Sequence, residues 1–343
     1  MAKPSLPKQN RRTAPPAQTH DIVVGLNAVI VTVHKDTPCV LVVRQGLGED
    51  EDSSDALPSG PFEPALHPTL ETGLRAWVEA QTYLDLGYVE QLYTFGDRGR
   101  ETPGPGVPAP SGQAHSLSIG YLALTRNAPG LRAPDNVWQS WYRYLPWEDW
   151  RESPPRMIAQ DIDPALKTWA AAAPNTASRR ARAARARTCF GLGAALWDEE
   201  KVLERYELLF EAGLVAEAHR GPSDPELHTP LKGPRGMSFD HRRILATGMG
   251  RLRGKLKYRP VVFELMPPAF TLLHLQRTVE AISGVRLHKQ NFRRLVEREG
   301  LVEGTGKRTT KTGGRPAEQF RFRREVLSER PAPGLRVPPV TRR

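Results

Sequence analysis

At 343 residues, with 39% hydrophobic and 25% charged side chains, the chain has the composition of a soluble globular protein long enough for two domains. No stretch approaches the roughly 18 uncharged apolar residues of a membrane helix, and Met1 to His20 lack the apolar centre of a signal peptide, which predicts a cytoplasmic protein with no membrane partner. Cys39 and Cys189 stand far apart with no CxxC or histidine spacing, so neither a disulfide framework nor a structural metal site is expected.

Residues 1–20 are polar, Pro-rich and basic, and read as a disordered tail, and 331–343 read as a C-terminal tail. Ile22 to Val33 is β-branched enough for a largely buried strand, with Cys39 to Arg44 as its hairpin partner. Gly46 to Asp55 is an acidic loop, and Leu57-Pro58-Ser59-Gly60-Pro61 reads as a turn. Thr69 can cap a helix that places Leu70, Leu74, Trp77 and Val78 or Gln81 on one face. Tyr88 to Phe95 and His115 to Thr125 are two further strands, separated by a Pro/Gly loop. Trp138, Trp141, Tyr142, Tyr144, Trp147 and Trp150 then read as aromatic cover for the sheet edge, since basic residues do not interleave with them as in a base-stacking platform.

A helix from about Asp163 to Ala172 leads into an Ala/Arg-rich segment with Arg179, Arg180, Arg182, Arg185 and Arg187. A stronger helix begins near Asp198 and ends at Gly213. After the Pro/Gly-rich stretch 221–236, a helix over Asp240 to Lys257 spaces Leu245, Met249, Leu252 and Leu256 alternately four and three apart. That spacing predicts packing along a narrow seam, with a second copy of the chain as one possible partner. The resulting division is 21–170 as the first domain, 171–258 as helical insertion and linker, and 259–330 as the second domain.

Positive charge is concentrated at the C-terminal end. Arg286 to Arg324 holds twelve Lys/Arg against four Glu, and Arg242 to Arg259 holds seven Lys/Arg and no acid, so these two segments outweigh the whole chain's net +11. Such a field is expected of a phosphate-binding surface. Within it, Thr271 can cap a helix ended by Gly284, and a second helix from about His288 to Glu299 is closed by Gly300. With Phe292, Leu295 and Val296 inward, that second helix turns Lys289, Gln290, Asn291, Arg293, Arg294 and Arg298 outward, side-chain types that read base edges and hold phosphates. Leu301-Val302 and Phe320 to Phe322 flank a Gly-rich hairpin with Lys307, Arg308, Lys311 and Arg315, which reads as the wing of a winged helix-turn-helix with duplex DNA as partner.

The residues Leu57-Pro58-Ser59-Gly60, the helix around Arg75, Leu92 to Arg100 and Ile119 to Leu124 resemble a Nudix domain. The block from Arg259 through Arg293 to Gly313-Gly314-Arg315-Pro316 is similar to the winged helix of Nudix-related regulators of NAD metabolism. The likeness covers about 21 to 165 and 240 to 335. It implies an α+β fold: a Nudix-like α/β/α sandwich with a mixed sheet, a helical linker and a C-terminal winged helix-turn-helix.

A working Nudix hydrolase carries G-x5-E-x7-R-E-U-x-E-E-x-G-U, whose carboxylates hold the divalent cations of hydrolysis. With the motif arginine on Arg75, the glutamates fall on His67, Ala76, Glu79 and Ala80 and the glycine on Thr82. Only Glu79 remains, so no catalytic residue, metal or cofactor is expected.

The resemblance implies instead a repressor of NAD biosynthesis genes whose Nudix-like domain senses ADP-ribose or a related metabolite. The candidate ligand-binding residues are Arg44, Arg75, Glu79, Phe95, Asp97, Arg98 and Arg100, with the aromatic to stack on adenine and arginines to pair a diphosphate. The need to span two half-sites adds an expected homodimer. Two other readings stay open: a pyrophosphatase using Glu63, Glu71 and Glu79 in a shifted arrangement, and a protein binding RNA non-specifically through its basic end.

Overall fold

The period-two alternation of β1 (Ile22–His34) decides how the N-terminal region is layered. Leu26, Ala28 and Ile30 face one way and pack with Leu74 and Val78, whereas Val29 and Val31 face the other way and pack with Ile244, Leu245 and Met249. The computed structural model describes residues 22–45, 54–97, 100, 115–126, 135–220, 229–310, 316–329 and 333–335. The strands β2 (Thr37–Gln45), β3 (Ser54–Ala56), β4 (Ser59–Pro61), β5 (Tyr88–Phe95), β6 (His115–Leu124) and β7 (Asn136–Ser140) join β1 in one seven-stranded sheet. Its main path is β3-β2-β1-β6-β5, with β4 added to β1 and β7 to β2. β1 and β6 run parallel in register from Ile22↔His115 to Val31↔Leu124, and the other pairs are antiparallel, so the sheet is mixed. Lys35 and Asp36, both at positive φ, close the β1–β2 hairpin.

The expected turn at Leu57 to Pro61 is in part a strand: Ser59, Gly60 and Pro61 pair with Asn27, Leu26 and Gly25. The helix α1 (Leu70–Thr82) covers one face. Thr69 and Thr72 form a reciprocal capping box at its start. The Trp77 indole N–H donates to the Pro61 carbonyl at 2.7 Å, and Gln81 exchanges hydrogen bonds with the backbone of Ser59. The Trp77 ring lies so close over Gly60 that a Cβ there would overlap it, so glycine is required at this position.

After β7 the aromatic run folds into two 3-10 turns. Trp141, Tyr144 and Trp147 are completely buried, making them core residues and not cover for an edge. The helices α2 (Asp163–Ala171), α3 (Thr176–Phe190) and α4 (Val202–Glu211) follow. The Ala/Arg-rich segment is α3, capped by Asn175 and stopped by Gly191 at φ 58°.

The helix α5 (His241–Tyr258) corrects two expectations. Leu245, Met249, Leu252 and Leu256 are all buried within the chain, between the sheet and the preceding helices, so their seam is not a surface for a second copy. Expected within the linker, α5 supplies the second helical layer of the sandwich. Its charge is also internal: Arg242 and Arg253 are buried, Lys255 pairs with Glu90 at 2.6 Å, and Lys257 pairs with Glu199 at 2.9 Å. The basic segment 242–259 is therefore largely neutralised by its own fold and contributes little phosphate-binding surface.

The C-terminal unit comprises α6 (Leu272–Ser283), α7 (Lys289–Glu299), β8 (Val302–Thr309), β9 (Ala317–Phe322) and the short α8 (Val326–Glu329). Within the segment read as a C-terminal tail, Leu335 is buried and its N–H bonds to the Leu256 carbonyl at 2.8 Å, so residues 333–335 dock on α5. Among the described residues no helix is long and apolar enough to cross a membrane.

Candidate nucleic-acid interface and effector domain

Helix α6 starts where the Thr271 hydroxyl accepts the His274 N–H at 3.1 Å, and it stops at Gly284 in the left-handed region at φ 75°. The turn into α7 is built around one buried carboxylate. Glu280 accepts the Leu287 N–H at 2.9 Å, the Gln276 amide at 2.9 Å and the Arg286 guanidinium at 2.9 Å, while Gln276 also donates to the Leu287 carbonyl at 2.8 Å. These bonds fix the angle between the two helices in a segment too short for an apolar core of its own.

Helix α7 buries Phe292 and Val296, with Leu295 half-buried beside them, and ends at Gly300 with φ 59°. Its other face carries Lys289, Gln290, Asn291, Arg293, Arg294 and Arg298, all exposed, as the spacing predicted. Arg294 donates to the Asn291 amide oxygen at 2.6 Å. Arg293 pairs with Glu297 at 3.0 Å, and Arg298 with Glu299 at 3.0 Å, with both arginines largely in solvent. An exposed pair such as Arg293–Glu297 contributes about 0–1 kcal/mol, so a phosphate or a guanine edge can displace its carboxylate at small cost.

The strands β8 and β9 form an antiparallel hairpin, with Val302↔Phe322 and Thr309↔Ala317 at its two ends. Lys307 and Arg308 are exposed on β8, whereas Lys311 and Arg315 lie outside the described residues. The hairpin is held by Phe263 stacked on Phe322 at 4.3 Å and by a two-bond backbone bridge between Phe270 and Phe320. A helix-turn-helix with an exposed basic second helix, followed by a basic hairpin packed back on the unit, defines a winged helix.

The candidate effector residues do not converge. Arg75 and Glu79 lie on α1, over one face of the sheet, and Phe95 packs in the core of the opposite face. Arg75 donates to Glu71 at 3.0 Å and to the carbonyls of Leu86 and Gly87, fastening the loop after α1. Glu79 is exposed, and Arg44 lies on β2 opposite Asp55 of β3.

Phe95 is only 3% exposed, with the Arg243 guanidinium 5.1 Å from its ring centroid, so it has no face left for an adenine. Asp97 accepts from Arg243 at 2.6 Å, and this hydrogen bond holds its carboxyl below the usual range. Arg100 forks onto Glu207 at 3.0 and 2.7 Å and lies 3.8 Å over the Phe210 ring. Arg98 lies outside the described residues. Phe95, Asp97 and Arg100 thus latch the sheet to α4 and α5, the two charged residues through an ion-pair network that also includes Asp240.

The remaining carboxylates of the hydrolase reading are no closer to a metal cluster. Glu71 is held by Arg75, and among the described residues no three His, Cys, Asp or Glu side chains are grouped to hold an ion. A cleft of about 380 Å³ between the start of α4 and α5 is lined by Asp198, Glu200 and Glu204 together with Lys201 and Arg251, and none of the candidate effector residues borders it.

Sequence reasoning missed the buried polar groups that join the domains. Glu148 accepts from Arg205 at 2.6 and 2.8 Å and from Arg253 at 2.6 Å, and all three side chains are fully buried. Three carbonyls at the end of α6 are held from outside the winged helix: Ala281 by the Tyr142 hydroxyl at 2.8 Å, Ile282 by Arg253 at 2.9 Å, and Gly284 by the Trp150 N–H at 2.7 Å. A Cβ on Gly284 would overlap the Glu148 carbonyl, so this close approach requires glycine. The one available signal was the density of aromatic residues from 138 to 150.

The fold and this surface define a winged-helix protein built onto a Nudix-type α/β/α sandwich. More particularly, residues 262–322 match the family described as NrtR DNA-binding winged helix domain. The chain is 41% identical over 86 residues to the ADPR responsive transcriptional repressor NtrR of Acinetobacter baylyi, a match spanning 25% of this chain and 34% of that relative. Its fold is similar to Shewanella oneidensis NrtR in complex with a 27mer DNA, with TM-score 0.50, 19% identity and coverage of 89% of this chain and 95% of that one. It is also similar to a MutT/nudix family protein from Enterococcus faecalis, with TM-score 0.51, 14% identity and coverage of 91% and 90%. At these identities the two structures speak to the fold alone. They agree with the α+β architecture expected from the sequence.

Proposed function

We propose that this protein is a transcriptional regulator that binds duplex DNA through α7 and the wing and represses genes of NAD biosynthesis. Its sandwich domain senses ADP-ribose or a related NAD metabolite without hydrolysing it, and the chain acts as a homodimer on paired half-sites. The observation that carries this reading is the exposed basic face of α7, Lys289 to Arg298, within a segment matching a DNA-binding winged helix family. The effector is argued from the similarity to the ADPR responsive repressor of Acinetobacter baylyi and from the sandwich fold. Loss of hydrolysis is argued from Ala76 and Ala80, where a hydrolase has glutamates.

Fluorescence anisotropy on the DNA upstream of the protein's own gene and of NAD-synthesis genes, with and without ADP-ribose, tests the reading. The expected result is specific binding that ADP-ribose changes. No preference for any of these duplexes over random DNA would overturn it. Incubation with ADP-ribose and magnesium or manganese should give no turnover above background, and metal-dependent hydrolysis lost in Glu79→Gln would replace the sensor with an enzyme. Light scattering on the free and DNA-bound protein reads the dimer directly.

A further inference from the structure

Helix α3 carries Arg179, Arg180, Arg182, Arg185 and Arg187, with no acid anywhere between Thr176 and Phe190. Three of these arginines have structural employment. Arg182 lies 4.3 Å over the Trp169 ring and donates to the Trp169 carbonyl at 3.0 Å, Arg179 donates to the Ala173 carbonyl at 3.1 Å, and Arg185 pairs with Glu211. Together they fasten α3 to α2 and α4. Arg180 and Arg187 do nothing of the kind. Both are exposed, and among the described residues neither has an acidic partner. Seven residues apart, they lie on the same side of the helix, separated by about 10 Å along its axis. The exposed surface beside them is Ala181 and Ala184, side chains too short to hold a polyanion away. A helix kept only for packing gains from alternating charge signs, and an all-positive one is disfavoured.

The far end of α3 is tied to the reading unit. The Cys189 carbonyl accepts from Arg205 at 3.0 Å, Arg205 forks onto Glu148, Glu148 holds Arg253, and Arg253 donates to the Ile282 carbonyl at the end of α6. Every bond in this series is buried, and together they tie the end of α3 to the end of α6.

We propose that α3 is a second phosphate-binding surface. Through Arg180 and Arg187 it contacts the backbone of the same duplex, outside the segment read by α7. The inference rests on the DNA-binding reading above. Guanidinium groups pair phosphate oxygens in a bidentate fork, and backbone contacts of this kind carry affinity and little sequence information.

Anisotropy titrations of the full chain over a salt series test it, on a long duplex from upstream of its own gene and on a short one trimmed to the footprint of α7 and the wing. Each phosphate contact contributes about 0.9 to the slope of log K against log salt. Arg180→Gln with Arg187→Gln should therefore lower the slope by about two on the long duplex and leave the short duplex unaffected, with an unchanged melting temperature. Lys307→Gln with Arg308→Gln should lower it on both. An α3 variant with the wild-type slope on the long duplex, beside a wing variant that loses slope, overturns the inference and leaves the DNA reading standing. Failure of the wild type to bind any duplex removes both. A variant that keeps its duplex slope but loses binding to single-stranded RNA or to anionic vesicles also overturns it, by assigning α3 to that partner.

Discussion

At the scale of single residues, Arg205, Glu148 and Arg253 form a triad with no solvent contact, in which one carboxylate balances two guanidinium groups. Further carbonyls, from Cys189, Asp198, Glu199, Ile282 and Glu148 itself, accept from other N–H groups of the two arginines. Removing the centre leaves two buried, uncompensated cations, so Glu148→Leu is expected to cost about 3–5 kcal/mol, read as the loss of unfolding free energy in urea; a loss under 1 kcal/mol would mean the site relaxes or admits water.

His241 and Asp240 give a second test. Burial pushes His241 down to about 3 from 6.5, and its Nδ1 accepts the Leu57 N–H at 2.9 Å. The unfolded chain takes up a proton near pH 6.5 that the folded chain refuses until about pH 3, so stability present above 6.5 is lost as pH falls through that window. Asp240 works in the opposite sense: burial raises it from 3.8 to about 7, so its contribution is present at low pH and fades as pH rises toward 7. The two neighbours offset each other in the overlap. His241→Asn should unmask the Asp240 slope, and denaturation at a series of pH values should show the variant losing stability from pH 4 to 7, where the wild type is flatter.

At the scale of elements, the sequence was most legible where local chemistry settles the structure. Thr69 and Thr271 cap the helices they were expected to cap, and Gly284 and Gly300 stop α6 and α7 at positive φ. The apolar positions of α7 then determine its outward face, so Lys289 to Arg298 could be named from spacing alone. Illegible elements depend on distant partners. Pro58 to Pro61 carries turn residues, yet Ser59–Pro61 extends because β1, more than thirty residues earlier, offers it a pairing edge. The four-three spacing of α5 is the same whether the partner is another chain or this chain's own sheet, and only tertiary structure distinguishes them. Phe95, Asp97 and Arg100 have the side chains of a nucleotide site, but Glu207, Phe210 and Arg243, more than one hundred residues later, occupy them. For α7 the expected outcome is sharp. Arg293→Ala with Arg294→Ala should abolish preference for the operator over random DNA at unchanged melting temperature, because both side chains lie on the surface and make only exposed contacts. Lys307→Ala should instead weaken both kinds of DNA alike and lower the salt slope by about one. Equal operator preference in the double variant and the wild type would remove α7 as the reading helix.

At the scale of the whole molecule, a ligand bound in the sandwich can change DNA affinity only if it binds the free and the DNA-bound protein differently. The structure provides a physical route: Tyr142, Trp150 and Arg253 hold the end of α6 from the sandwich side, and Arg277 of α6 reaches the β1–β2 hairpin at Asp36 with a 2.9 Å ion pair. These contacts tie the sheet and α5 to the end of α6, next to the turn that orients α7. Reciprocity makes this measurable. If ADP-ribose weakens operator binding tenfold, operator DNA must weaken ADP-ribose binding tenfold, a coupling of about 1.4 kcal/mol. Calorimetric titration of ADP-ribose into the free protein and into its DNA complex measures one side of the cycle, and anisotropy with and without ADP-ribose measures the other. Tyr142→Phe removes the hydroxyl that donates to the Ala281 carbonyl while keeping the ring that fills the core. It should reduce the coupling on both sides by the same factor, with smaller changes in either affinity measured alone. Full coupling in Tyr142→Phe would move the route to the Arg277–Asp36 contact, which Arg277→Ala tests in the same way. Equal ADP-ribose affinity for the free and DNA-bound wild type would show that the sandwich binds without regulating.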